Sequence, residues 1–204
     1  ALALVLPMSA AAQQTQYCST LSRSDCGLYY RTDMDAPTSA SFDMTMVTQV
    51  GVGFETFDFT IGTAQVYSRL YKLSGMNVPF YWQMIDDYRV ISPDGETFFP
   101  TYYLLYGLRH TVPIGSVVIE TSDDLASILS FAVQTPDGDF SLMVINNSTE
   151  RQPLSITGLP DAALQHLRLS EGEMLEPVAS LDTDEITMFL MARSINWFTT
   201  LELE

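Results

Sequence analysis

Basic side chains are scarce in this 204-residue chain: 9 Lys and Arg stand against 25 Asp and Glu, a net charge of −16. Phosphate binding needs a basic footprint, so nucleic acid is excluded as an expected partner, and an anionic membrane surface is disfavoured on the same ground. A neutral polymer such as a polysaccharide is compatible with this balance, and acidity also serves solubility by itself. No apolar run is long enough to span a bilayer. Histidine is nearly missing. His110 and His166 lack the neighbours that a metal site or a catalytic triad requires, so structural roles are expected for both. There is no Gly-x-Ser-x-Gly elbow, no phosphate-binding glycine loop and no Cys-x-x-Cys pair. No metal and no other cofactor is expected.

What is present begins with a leader-like N-terminus. Ala1–Leu6 is apolar, and Ser9–Ala12 is small, as at the end of a secretory signal peptide, with cleavage expected after Ala12. The starting Met and a basic flank do not precede it, so residues 1–12 read as a signal remnant. The expected destination is secretion or a bacterial cell envelope. The two cysteines, Cys18 and Cys26, follow directly. Export permits a disulfide that closes a short loop. Metal ligation is the alternative, and no His or Cys neighbours supply further ligands. No lipobox precedes Cys18.

Residues 13–40 are polar and read as loop, with room for one short helix. Ser41–Val50 alternates apolar and polar side chains, as a strand with one buried face does. Residues 62–74 read as a helix with Val66, Leu70 and Leu73 on one face, Thr63 as N-cap and Gly75 just past the end. Val78–Met84 is a continuous apolar and aromatic run, suited to a parallel strand buried on both faces. Ser92–Gly95 is a turn, and Phe99–Leu108 is a second helix, with Tyr103, Tyr106 and Leu108 as core candidates and Pro113 and Gly115 beyond its end. From residue 116 the texture changes. Apolar runs at 116–120, 128–135, 140–146, 152–157, 164–170, 185–191 and 194–202 alternate with turn signals, and about seven strands at this spacing predict an antiparallel sandwich.

Several phrases together resemble one family. Gly75–Gln83, with Tyr81-Trp82-Gln83 at its end, resembles the eighth barrel strand of retaining glycoside hydrolases. Phe99–Arg109 resembles the helix that follows it, and His110–Ser116 the crossing into a sandwich. Leu129–Asp139 and Leu142–Asn147 resemble the first sandwich hairpin, and Met191–Ile195 its closing Ala-Arg-Ser phrase. These cover roughly 130 residues in order, and the nearest group is the family 30-like set of (β/α)8 enzymes. The resemblance implies α/β followed by all-β: the end of a (β/α)8 barrel at 54–113 and an antiparallel β-sandwich at 114–204; residues 13–53 lie outside it, an N-terminal segment of uncertain origin.

The resemblance also implies roles. Glu55 stands where the family's nucleophile ends strand seven, ahead of the 62–74 helix; the bland alternative is a solvated loop carboxylate. Trp82 is implied as a platform for a sugar ring, against core packing as the alternative. Gln83 is implied as a hydrogen-bond donor at the rim, with Asp86 and Asp87 weaker candidates. Retaining hydrolysis needs two carboxyl groups about 5–5.5 Å apart. The family's acid/base Glu follows an Asn, and no Asn-Glu pair occurs in this chain. The expected function is therefore a glycoside hydrolase fragment related to polysaccharide degradation and inactive by itself. The competing expectations are a non-catalytic exported carbohydrate-binding module and an exported ligand-binding protein defined by its N-terminal part.

Overall fold

A computed structural model describes residues 53, 55–74, 89–123, 125, 127–173, 175–182 and 185–202. The leader, Cys18 and Cys26, the strands expected at 41–50 and 78–84, Gly75, and Trp82, Gln83, Asp86 and Asp87 lie outside the described residues.

Helix α1 spans Phe57–Ser74. It starts five residues earlier than the sequence suggests, and its N-cap is Thr56, not Thr63. The Thr56 hydroxyl oxygen accepts from the Phe59 amide at 3.3 Å, occupying one of the orphan donors of the first turn. Thr63 is buried inside the helix, and its hydroxyl donates to the Phe59 carbonyl at 2.9 Å. Gly62 before Thr63 imitates a helix start. The true cap carries Phe at N3 where a capping box would carry Glu or Gln, so the sequence signal there is weak. Phe57, Thr60, Ile61, Ala64, Tyr67, Ser68 and Leu70 are buried, close to the spacing of one helical face.

Helix α2 spans Pro100–Thr111, with Pro at its first position and extended Phe99 before it. Ahead of it, the Ser92–Gly95 turn forms as expected: Gly95 sits at φ 78°, and Ile91 pairs with Phe98. Thr101, Leu104, Leu108 and Thr111 form the buried face of α2. Tyr103 packs partly buried against the core. Tyr106, expected in the core, is only half-buried; its ring lies between those of Tyr102 and His110 along the outer side. The two helices are joined by a buried hydrogen bond between the Thr60 and Thr101 hydroxyls at 2.8 Å.

Eight strands follow: β1 (Val117–Ile119), β2 (Ile128–Gln134), β3 (Phe140–Asn146), β4 (Gln152–Ile156), β5 (Ala163–Ser170), β6 (Glu176–Asp182), β7 (Ile186–Leu190) and β8 (Ser194–Thr199). Six form one antiparallel sheet in the order β1-β2-β3-β8-β5-β6, and β4 pairs with β7 in a second. The expected seven strands become eight because β6 reads as loop. It is an exposed edge carrying Pro177, and Val178 is the extra residue where its register with β5 slips. Proline and a bulge protect an edge from further pairing and also hide it from hydropathy.

The centre of the six-stranded sheet is buried on both faces: β3 is buried at all but its first residue, and β8 throughout, its polar Ser194, Asn196 and Thr199 included. Phe131, Val133, Met143, Ile145, Leu167, Leu169, Ile195 and Trp197 meet α1 and α2. Ile128, Ala132, Leu142, Val144, Leu164 and Phe198 meet Ile186 and Leu190 of the small sheet. The result is three layers: helices, large sheet, small sheet. At Gly107 the helix layer sits close on the sheet; a Cβ there would lie 3.0 Å from the Trp197 ring.

Candidate functional site

Glu55 lies in the turn that feeds α1. The Thr56 amide donates to the Gly53 carbonyl at 2.9 Å, and the Thr56 hydroxyl donates to the same oxygen at 2.6 Å. That turn leaves the Glu55 side chain exposed. Immediately inside the helix, Phe57 and Phe59 are buried in the core shared with the sheet. The chain thus anchors the helix by its aromatic side and presents Glu55 at its N-terminal end.

One turn further on, Asp58 pairs with Arg193. Aspartate in a first turn also complements the helix dipole. Arg193 belongs to the corner between β7 and β8. Its Nη1 donates to Asn147 Oδ1 at 2.7 Å, and its backbone amide donates to the Ser148 carbonyl at 2.9 Å. Beneath it, Asn146 is fully buried; its Nδ2 donates to the Met191 carbonyl at 2.7 Å and the Glu150 carbonyl at 3.1 Å. The far end of α1 is tied down too. Lys72 Nζ lies 3.0 Å from Asp123 Oδ2, and Asp123 also accepts from the Ser130 amide and hydroxyl.

The two histidines fall in structural settings. His110 is half-buried and packs its ring against Tyr106. His166 is buried and stacks on Phe198 at 4.6 Å. A chain of hydrogen bonds fixes its tautomer. Ser194 donates its hydroxyl proton to the Met191 carbonyl, so its oxygen accepts from Asn196 Nδ2; Asn196 Oδ1 then faces His166 Nε2 at 3.0 Å, which must donate. His166 Nδ1 is left as a buried acceptor without a partner. Burial, and secondarily the Arg168 charge, push the His166 pKa below the usual histidine value against the opposing Asn196 bond. No group of three or more His, Cys, Asp or Glu capable of holding a metal occurs among the described residues. No helix among them is long and apolar enough to cross a membrane.

Of the expected site residues, only Glu55 is described, so its distance to Trp82 and Gln83 is not defined. The contact that sequence reasoning missed is the meeting of Asp58, Asn147 and Arg193. The Asn146-Asn147 and Ala192-Arg193-Ser194 phrases are visible in the sequence, but nothing there pairs them.

Residues 115–196 match the glycosyl hydrolase family 30 beta sandwich domain. No curated protein matches the chain. Among solved structures, it is similar to a family 30 endoxylanase from Clostridium papyrosolvens C71, with a TM-score of 0.66 and 15% identity over 74% of this chain and 40% of that one. A family 30 subfamily 8 xylanase from Clostridium acetobutylicum gives 0.65 and 13% over 71% and 39%. A family 44 xyloglucanase from Paenibacillus polymyxa gives 0.55 and 13% over 74% and 30%. The chain therefore spans 40% or less of the length of these structures. Its described part is a C-terminal, family 30-like piece: an antiparallel β-sandwich with two helices on one face.

Proposed function

We propose that this chain is the C-terminal part of a retaining glycoside hydrolase that acts on a polysaccharide, with the end of a (β/α)8 barrel at 54–113, and that alone it does not hydrolyse substrate. The family 30 sandwich match over 115–196 carries this reading. Glu55 is its nucleophile, Trp82 its sugar platform and Gln83 a hydrogen-bonding partner at the rim. Supporting this is the exposed position of Glu55 at the N-terminal end of a helix docked on the sandwich. A nucleophile alone is insufficient, because cleavage also needs a proton donor to the leaving group, worth about 10²–10⁴-fold. The neighbouring carboxylate, Asp58, is engaged by Arg193.

The test is turnover of aryl β-xylosides and β-glucosides and of soluble xylan by the purified chain, beside Glu55→Gln. Both should match the buffer rate. Turnover that Glu55→Gln abolishes would keep the nucleophile and discard the inactivity; turnover indifferent to the substitution would discard Glu55. Export belongs to the same proposal. A mature N-terminus at Gln13 in the culture medium or envelope is the expected finding, and retention of Ala1–Ala12 would contradict it.

A second reading is a non-catalytic exported carbohydrate- or ligand-binding protein. It is favoured by Phe189, 61% exposed on the outer side of the β4–β7 pair, with the Arg151 guanidinium 5.6 Å from its ring centre. Affinity electrophoresis in xylan or glucan gels separates the readings. Retardation lost in Phe189→Ala would favour binding at the sandwich; retardation lost only in Trp82→Ala would favour the barrel-end platform.

A further inference from the structure

Arg193 is the one non-glycine residue at positive φ, 49°, among the described residues. A side chain in the left-handed region costs about 1–2 kcal/mol, and such a residue persists where its surroundings over-determine it. Here the surroundings are visible. The Arg193 amide bonds the Ser148 carbonyl, its Nη1 bonds Asn147 Oδ1, and its Nη2 pairs with Asp58 in the first turn of α1. The base under it is rigid: Asn146 and Ser194 both donate to the Met191 carbonyl, at 2.7 Å and 2.8 Å. The guanidinium therefore joins two preorganised corners of the sandwich to a helix end three residues from Glu55. A guanidinium presents its donors in a rigid plane to two separated acceptors, whereas a lysine ammonium is a single compact charge with rotating donors.

We infer that Arg193 is a positioning residue: through Asp58 it holds the first turn of α1, and with it Glu55, against the sandwich. The inference rests on the reading of Glu55 as the nucleophile. It gives the sandwich a direct part in the site, because a carboxylate in a covalent mechanism must sit within about 0.5 Å of its productive place. Phe57 and Phe59 fix the buried side of the same turn, and Arg193 supplies the hold on its solvent side.

Hydrogen exchange followed by mass spectrometry on the full chain tests this, with Arg193→Gly, Arg193→Gln, Arg193→Lys and Asp58→Asn. Glycine takes the backbone conformation without penalty, so Arg193→Gly relieves the corner while removing the clamp. Amides of residues 56–61 should exchange about fivefold faster in Arg193→Gly, Arg193→Gln and Asp58→Asn, the scale of one lost charge-assisted hydrogen bond at a partly exposed site. Arg193→Lys should recover part of that protection. The 191–195 corner should be no less protected in Arg193→Gly than in the parent. A residue whose side chain serves only the corner gives the opposite pattern, with the corner amides at 147–148 and 191–195 exchanging faster in Arg193→Gly and those of 56–61 unchanged. Unchanged exchange at 56–61 in both Arg193→Gly and Asp58→Asn overturns the inference and leaves the family reading untouched. Faster exchange there, with any hydrolysis indifferent to Glu55→Gln, overturns the catalytic part and leaves only the clamp.

Discussion

His166 offers a prediction whose sign is fixed by the hydrogen-bond network. Its Nε2 must donate to Asn196, so a second proton would enter at the buried, unpartnered Nδ1, two residues along the strand from Arg168. The folded state thus holds that proton less tightly than the unfolded chain does. Stability from neutral His166 is complete above the unfolded value near pH 6.5 and is lost as pH falls below it, until the lowered folded value is reached. One proton gives a slope of at most about 1.4 kcal/mol per pH unit in that window. For a chain of this size, this is roughly 3–5 °C in Tm per unit. Other groups titrate as well, so the comparison is with His166→Gln, whose amide nitrogen can still donate to Asn196 but does not titrate. At about pH 8 the variant should be less stable by about 0.5–1.5 kcal/mol, the worth of the lost stacking on Phe198. As pH falls below about 6.5 the gap should narrow. Urea unfolding read by the fluorescence of buried Trp197 measures both curves. A gap independent of pH would refute the assigned tautomer and the orphaned Nδ1.

Gly107→Ala should destabilise by about 1 kcal/mol. The new Cβ lies 3.0 Å from the Trp197 ring, fully buried and unable to yield, and overpacking of about 1–3 kcal/mol outweighs the helix-propensity gain of about 1. A raised Tm would show that the helix layer sits more loosely than described. Asp123→Ala should cost about 2 kcal/mol in urea unfolding, since it strands Lys72 and the Ser130 amide together; an effect below about 0.5 would make the tie at the far end of α1 superficial. Residues 114–204 alone should bind a hydrophobic dye or aggregate. Removing α1 and α2 uncovers Phe131, Val133, Met143, Ile145, Leu167, Leu169, Ile195 and Trp197, on the order of 10–20 kcal/mol of burial against a typical total stability of about 5–15. A monomeric, cooperatively unfolding 114–204 would refute the shared core.

Much of this architecture is legible in the chain because burial on both faces leaves an unambiguous signal. Phe140–Asn146 and Ser194–Thr199 are almost wholly buried, and short apolar clusters such as Leu142–Ile145 and Trp197-Phe198, bounded by turn residues, reveal such strands without strict alternation. The same logic fails where an element is defined by pairing rather than burial. Strand β6 is largely exposed, contains Pro177 and is held by its register with β5, which no local pattern encodes. The start of α1 fails for a different reason. Gly62-Thr63 imitates a beginning, while the real one depends on a Thr56 cap followed by two phenylalanines that find their partners only in the folded sheet.

The candidate site is legible to a smaller degree, and the reason is distance along the chain. Glu55 becomes a candidate only through the order of family-like phrases around it, because a lone glutamate after a glycine-rich stretch has no signature of its own. The groups that hold its turn lie far off: Arg193 is 135 residues from Asp58 and 46 from Asn147. Each is unremarkable in its own segment. Asn146-Asn147 reads as turn punctuation and Ala192-Arg193-Ser194 as a strand preface. Only sheet register, which seats Asn146 opposite Ser194 on neighbouring strands, brings the two corners together beneath the helix end. A pairing set by β3–β8 register also constrains the site in return. A one-residue slip between those strands would turn Asn146 and Ser194 to opposite faces and take away the base on which Arg193 stands. The sandwich core and the placement of the candidate nucleophile are in that sense a single packing problem.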